Sequence, residues 1–155
     1  GDTVRFTDLQ RCEIIITGRT RHFLSLCGEH LSVDNMNRAV KLVAAETGLM
    51  INEYCVAGIQ VEGGFAHEWY IGADNEADEN EIAEKLDNHL KTLNDDYAVE
   101  RRHALKDIIV HLLPNQAFID FLASKNKLGG QSKFPRVVKG KNLNNWLAFL
   151  DTYKK

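Results

Sequence analysis

Two stretches of this 155-residue chain gather side chains whose types could do chemistry. The first, Ile16 to Asn35, reads ITGRTRHFLSLCGEHLSVDN and sets Arg19, Arg21, His22, Glu29 and His30 around two glycine turns. Polar groups gathered on turns between rigid elements are where ligand contacts usually sit. A carboxylate such as Glu29 can orient its loop or accept a hydrogen bond from an amine. The second stretch runs from Lys125 to Lys155 and carries eight cations (Lys125, Lys127, Lys133, Arg136, Lys139, Lys141, Lys154, Lys155) against the single acid Asp151, a balance that could meet an anion.

The rest of the composition bounds what these residues can serve. The chain is 44% hydrophobic and 26% charged, with 11 Gly and 2 Pro, which fits one soluble globular domain. No window has the uninterrupted apolar length of a membrane span, and no signal peptide is visible, so a cytoplasmic protein with no membrane partner is expected. Cys12, Cys27 and Cys55 are odd in number and widely spaced, as reduced core thiols would be. Neither CxxC nor HExxH spacing occurs, and the six histidines (His22, His30, His67, His89, His103, His111) show no ligand spacing, so no metal site is expected. Cys27 has no base identifiable beside it, which argues against a nucleophile.

Elements that could position these residues follow from the hydrophobic pattern. Residues 12–16 read as a buried strand. Asp34 can cap a helix with Met36, Ala39, Val40, Val43 and Ala44 on one face, and Gly48 supplies its stop. Residues 51–62 and 65–71 read as strands joined by the Gly63–Gly64 turn. Asp78 caps a second helix with Ile82, Leu86, Leu90 and Leu93 inward, and nine carboxylates between Asp74 and Asp96 would form its outer face. Residues 107–113 are another strand, Pro114 suits a first helical residue, and Leu143, Trp146, Leu147 and Leu150 mark a closing helix. The order β-α-β-β-α-β predicts an α+β fold of the ferredoxin-like, split βαβ kind, with a mainly antiparallel sheet, both long helices on one face and a short helical C-terminal extension.

Gly1–Asp2, the Gly18–Arg19–Thr20–Arg21 turn running through GEHLSVDN to Asn35, and the Gly129–Arg136 stretch GGQSKFPR occur in that order. Together they resemble the C-terminal domain of the acyl acid–amido synthetases, the auxin-responsive family of acyl-adenylate-forming enzymes, over nearly the whole chain. The resemblance implies a parent enzyme that uses ATP and Mg²⁺ to adenylate a carboxylic acid and then passes the acyl group to an amino acid. Residues 1–155 would be its small mobile lid, closing over an N-terminal adenylation domain that holds most of the substrate site and the magnesium. Alone it should turn nothing over. A chain that opens on Gly1–Asp2 without a methionine is consistent with that expectation.

Specific roles come with the resemblance. Asp2 would accept from the ribose hydroxyls of ATP, although in a lone domain it should be a frayed terminus. Arg19 would fork onto ribose, phosphate or a carboxylate. Arg21 stands where thioester-forming relatives carry Asp, which argues against those ligases and leaves its own role open. Lys133 would be the catalytic lysine, since an ammonium delivered by a closing lid stabilises charge growing on the α-phosphate and the leaving pyrophosphate. The segment Lys139–Gly140–Lys141 resembles the Gly-Lys of the thioester-forming relatives, so the adenylation lysine stands open between Lys133 and Lys139 or Lys141. Two other readings compete. A free-standing ferredoxin-like module could bind a small ligand at the glycine turns; a nucleic-acid module would want a basic domain with exposed aromatics, which 8% aromatics and a net charge of −3 do not supply.

Overall fold

A computed structural model describes residues 2–19, 23–125 and 133–153. The elements are β1 (Asp2–Asp8), β2 (Glu13–Arg19), β3 (Phe23–Leu24), β4 (Leu31–Ser32), α1 (Val33–Thr47), β5 (Ile51–Val61), β6 (Gly64–Ala73), α2 (Glu79–Leu93), α3 (Asp95–Glu100), β7 (Leu105–Leu113), α4 (Asn115–Ser124) and α5 (Lys141–Tyr153). The centre is a sheet of order β5-β6-β7, with β5 and β6 antiparallel and β6 and β7 parallel. Residues 136–138 add to the free edge of β5: Val56 N–H donates to Arg136 O at 2.8 Å and Val138 N–H to Val56 O at 2.9 Å.

Strand alternation divides the core between two faces. Tyr54, Val56, Trp69 and Ile71 point towards α1 and α2, meeting Met36, Val40, Val43, Ile82, Leu86 and Leu90. Cys55, Ala57 and Tyr70 point the other way, onto Phe118 of α4, Phe134, and Trp146 and Leu150 of α5. The α+β class is as expected, with α1 and α2 on one face and a helical extension at the C-terminus. The pairing of the first strand differs. The strand expected over 12–16 as a buried element forms as β2, but it pairs antiparallel with β1 in a two-stranded sheet of its own, and Ile14, Ile15 and Ile16 are exposed. With that strand elsewhere, β6 and β7 lie side by side and the sheet is less antiparallel than expected.

Local chemistry explains the element ends. The cap of α1 is Ser32, two residues before the expected Asp34: Ser32 Oγ accepts from Asn35 N–H, and Asn35 Oδ1 accepts from Ser32 N–H. Gly48 ends that helix in the left-handed region at φ 72°. Asp78 caps α2 as expected. Pro114 sits at the cap of α4 and not inside it. The turn between β1 and β2 is held by Asp8, whose Oδ1 accepts from the amides of Gln10 and Arg11. It leaves Cys12 exposed at φ 54°, so this thiol is not in the core; Cys55 is.

Candidate functional site

The loop between β3 and β4 folds around its own carboxylate. Both oxygens of Glu29 accept from Leu26 N–H at 2.9 Å, and Oε2 also accepts from the amides of Cys27 at 3.0 Å and Gly28 at 3.2 Å. Three successive amides turned inward make a nest of the kind that binds anions; here the anion is the loop's own. The turn needs Gly28 at φ 123° and puts His30 at φ 40°. His67 of β6 closes the shell, with Nε2 2.9 Å from Glu29 Oε1 and both residues fully buried. Burial alone would raise the Glu29 carboxyl, but hydrogen bonds from His67 and from loop amides outweigh it and bring the pKa down to about 2. The carboxylate is therefore ionised, so the proton of that contact sits on His67 Nε2. Beside it, burial and the neighbouring Glu29 and Glu100 push the Cys27 thiol up to about 12, which removes it as a nucleophile.

A second ionic cluster ties α2, α3 and β7 together. Asp87 accepts from Tyr97 Oη at 2.7 Å, from Arg101 Nε at 2.8 Å and Nη2 at 3.1 Å, and pairs with Lys91 Nζ at 2.7 Å. Arg101 Nη1 also donates to Leu105 O. Asp87 belongs to the acidic run expected to be an outer face, yet it is buried; helical phase placed it one step off the solvent side.

On the far edge of β5 lies a cleft of about 700 Å³ lined by Val33 and Asn37 of α1, the segment Lys133 to Val137, Lys139, and Asn142 of α5. Its backbone is fixed by the bonds of residues 136–138 to Val56 and by Phe134, which is buried against Phe118, Phe121 and Trp146. Arg136 is engaged within the protein: it forms an ion pair with Glu53, donates to Tyr54 O at 2.9 Å and stacks on the Tyr54 ring at 4.3 Å. Lys133 and Lys139 are exposed and form no ion pair with the described residues. The cleft thus joins a rigid rim to two cations with flexible stems, an arrangement suited to a phosphate or other anion.

The expected site residues fall into four groups. Lys133 and Lys139 meet in the cleft, while Lys141 begins α5 just beyond its lining. Asp2 was expected to fray, but it is the first residue of β1, and its register partner on β2 is Arg19, so the two lie directly opposite each other. Glu29 is sealed inside its loop, out of reach of a substrate amine. Arg21 and His22 lie outside the described residues. Among the described residues no group of three or more His, Cys, Asp or Glu could hold a metal ion, and no helix is long and apolar enough to cross a membrane. Sequence reading missed the role of His67, whose partner is 38 residues away, and of Gly58, where a Cβ would stand 2.4 Å from the Leu26 side chain. It also missed Glu68 and His111, paired at 2.9 Å beside the buried Tyr70 ring.

Comparison with known proteins places this geometry. A profile of the GH3 family C-terminal domain matches residues 34–142, well over half the chain. Among solved structures, GH3.15 acyl acid amido synthetase is similar with a TM-score of 0.72 at 17% identity, covering 90% of this chain and 27% of its own. The AtGH3.15 acyl acid amido synthetase in complex with 2,4-DB is similar with a TM-score of 0.69 at 19% identity, covering 96% of this chain and 29% of its own. At these identities the two structures speak for the fold, and the chain spans under a third of the length of either. No curated protein sequence matches. The profile match decides the family: this chain belongs to the GH3 family, as a C-terminal domain of it.

Proposed function

We propose that residues 1–155 are the small mobile lid of an ATP-dependent acyl acid–amido synthetase, and that the parent enzyme adenylates a carboxylic acid and conjugates it to an amino acid. The observation that carries the reading is the cleft at the β5 edge, where Lys133 and Lys139 face one opening while the neighbouring arginine is neutralised by Glu53. ATP supplies the activating adenylyl group, with Mg²⁺ held mainly by the N-terminal domain. The donors of the cleft fit a polyphosphate, as Lys133, Lys139, Asn37 and Asn142 are all among its lining residues.

In this reading Lys133 stabilises charge on the α-phosphate and on the departing pyrophosphate. A positioned cation acts where charge develops, and one carried by a lid acts only when the site is assembled. Lys139 adds a second cation in the same cleft, and Lys141 stands ready at the start of α5. Asp2 and Arg19, opposite each other across the hairpin, form the ribose and phosphate edge, and Arg21, two residues on in the sequence, belongs with them in this reading. Glu29 has the geometry of a residue that orients the loop. The lone domain is inactive because the acid and amine pockets belong to the N-terminal domain, and the whole enzyme works in the cytoplasm.

The test is ATP–pyrophosphate exchange by the full-length parent over a panel of carboxylic acids. Acid-dependent exchange, followed by amide formation when amino acids are added, is the expected result. Exchange that no acid stimulates would refute the reading and favour a free-standing ligand-binding module.

A further inference from the structure

The hairpin β1–β2 carries an apolar face that nothing in the described residues covers. Val4 pairs with Ile16 and Phe6 with Ile14 across the two strands, with no register shift between the pairs. Residues two apart on a strand share a face, so these four side chains form one patch. They are 49%, 69%, 56% and 52% exposed respectively, and Leu9 at the turn is 77% exposed. Single exposed apolar residues are ordinary, but a contiguous set on one sheet face is not. A two-stranded hairpin is moreover marginal in water unless a third strand or another layer packs on it. The same residues explain why the sequence reads as a buried strand there: the pattern is that of a covered face.

We infer that this face is the seat of the preceding adenylation domain, so that Val4, Phe6, Ile14 and Ile16 form the apolar contact on which the lid rides. The inference rests on the proposed function and names the surface that reading leaves open. Two facts select this occupant. The chain spans only 27–29% of the length of the synthetases it resembles, so a much larger body is available to cover the patch. The matched family segment is a C-terminal domain, which joins that body on its N-terminal side, and β1 is the first element on that side. Asp2 and Arg19 stand at the open end of the same hairpin, so docking the apolar face also brings their end of the hairpin to the preceding domain.

The experiment places a photo-crosslinking phenylalanine analogue at position 6 of the full-length parent, with products mapped by mass spectrometry. Crosslinks to residues upstream of Gly1 in the same polypeptide are expected. Crosslinks joining two polypeptides would mean that a second copy covers the face, and no protein crosslink would mean that it stays in solvent; either overturns the inference. A second measurement follows amide hydrogen exchange in the parent carrying Phe6→Ser and Ile14→Ser. The amides of residues 4–16 should exchange on the order of tenfold faster than in the wild type, with those of α1 and α2 unchanged. Equal rates in residues 4–16 overturn the inference as well. Acid-dependent pyrophosphate exchange that survives alongside a failed crosslink leaves the functional reading standing, so the two failures are separable.

Discussion

The Glu29 loop and the 133–142 cleft are both built from charged residues on short irregular segments, and they use charge in opposite ways. In the loop, every interaction points inward: three backbone amides and one imidazole converge on a single carboxylate that water does not reach. In the cleft, the backbone and Phe134 are fixed but the lysines are left to solvent. A buried, fully bonded ion fixes shape; an exposed cation on a flexible stem is available to a partner. The loop therefore reads as scaffold, and the proposed function puts the chemistry at the cleft, although the loop looks the more functional of the two in sequence.

This contrast can be broken from the loop side first. Glu29→Ala strands His67 and three amides in the interior, and should cost about 3–5 kcal/mol of domain stability in urea denaturation, the range for removing one partner of a buried pair. A loss under 1 kcal/mol would mean that water reaches the loop. Acid titration sharpens the same point. The folded-state pKa of Glu29 is held at about 2, below the ordinary 4.5, so its stabilisation is complete above pH 4.5 and is lost as pH falls towards 2. Glu29→Gln should flatten that part of the stability–pH curve, whereas an unchanged slope would assign it to other carboxylates such as Asp87, whose pKa is also lowered.

Smaller effects test how the two regions are coupled. Gly58→Ala pushes a methyl into Leu26 and should destabilise the domain by about 1–3 kcal/mol, with disturbed amide signals at residues 26–30. Ser32→Ala removes the α1 cap and should cost about 1 kcal/mol. Because α1 contributes Val33 and Asn37 to the cleft, the second variant should shift signals there too. Silence in the cleft would show that the two regions are independent.

Periodic elements were legible because their signals are local. The Asp78 cap, the Gly48 stop and the β5–β6 hairpin need only neighbouring residues to form. Long-range partnering was not legible. No local pattern says that β2 pairs with β1 instead of entering the main sheet, since a run of β-branched residues fits a buried strand and a covered hairpin equally well. The same limit hid His67, which reads as one alternating residue of β6 until the fold brings Glu29 to it. For the site, the lysines were singled out by the resemblance of GGQSKFPR and of Lys139–Gly140–Lys141, while composition showed only a basic run; that Lys133 and Lys139 line one cleft with residues of α1 and α5 is what the fold adds.

The central claim is that the cleft lysines act in adenylation, and Lys133→Ala in the full-length parent tests it most directly. Acid-dependent ATP–pyrophosphate exchange should fall on the order of 10²-fold, as for the loss of one positioned charge in a transition state. Exchange at the wild-type rate in that variant would contradict the account.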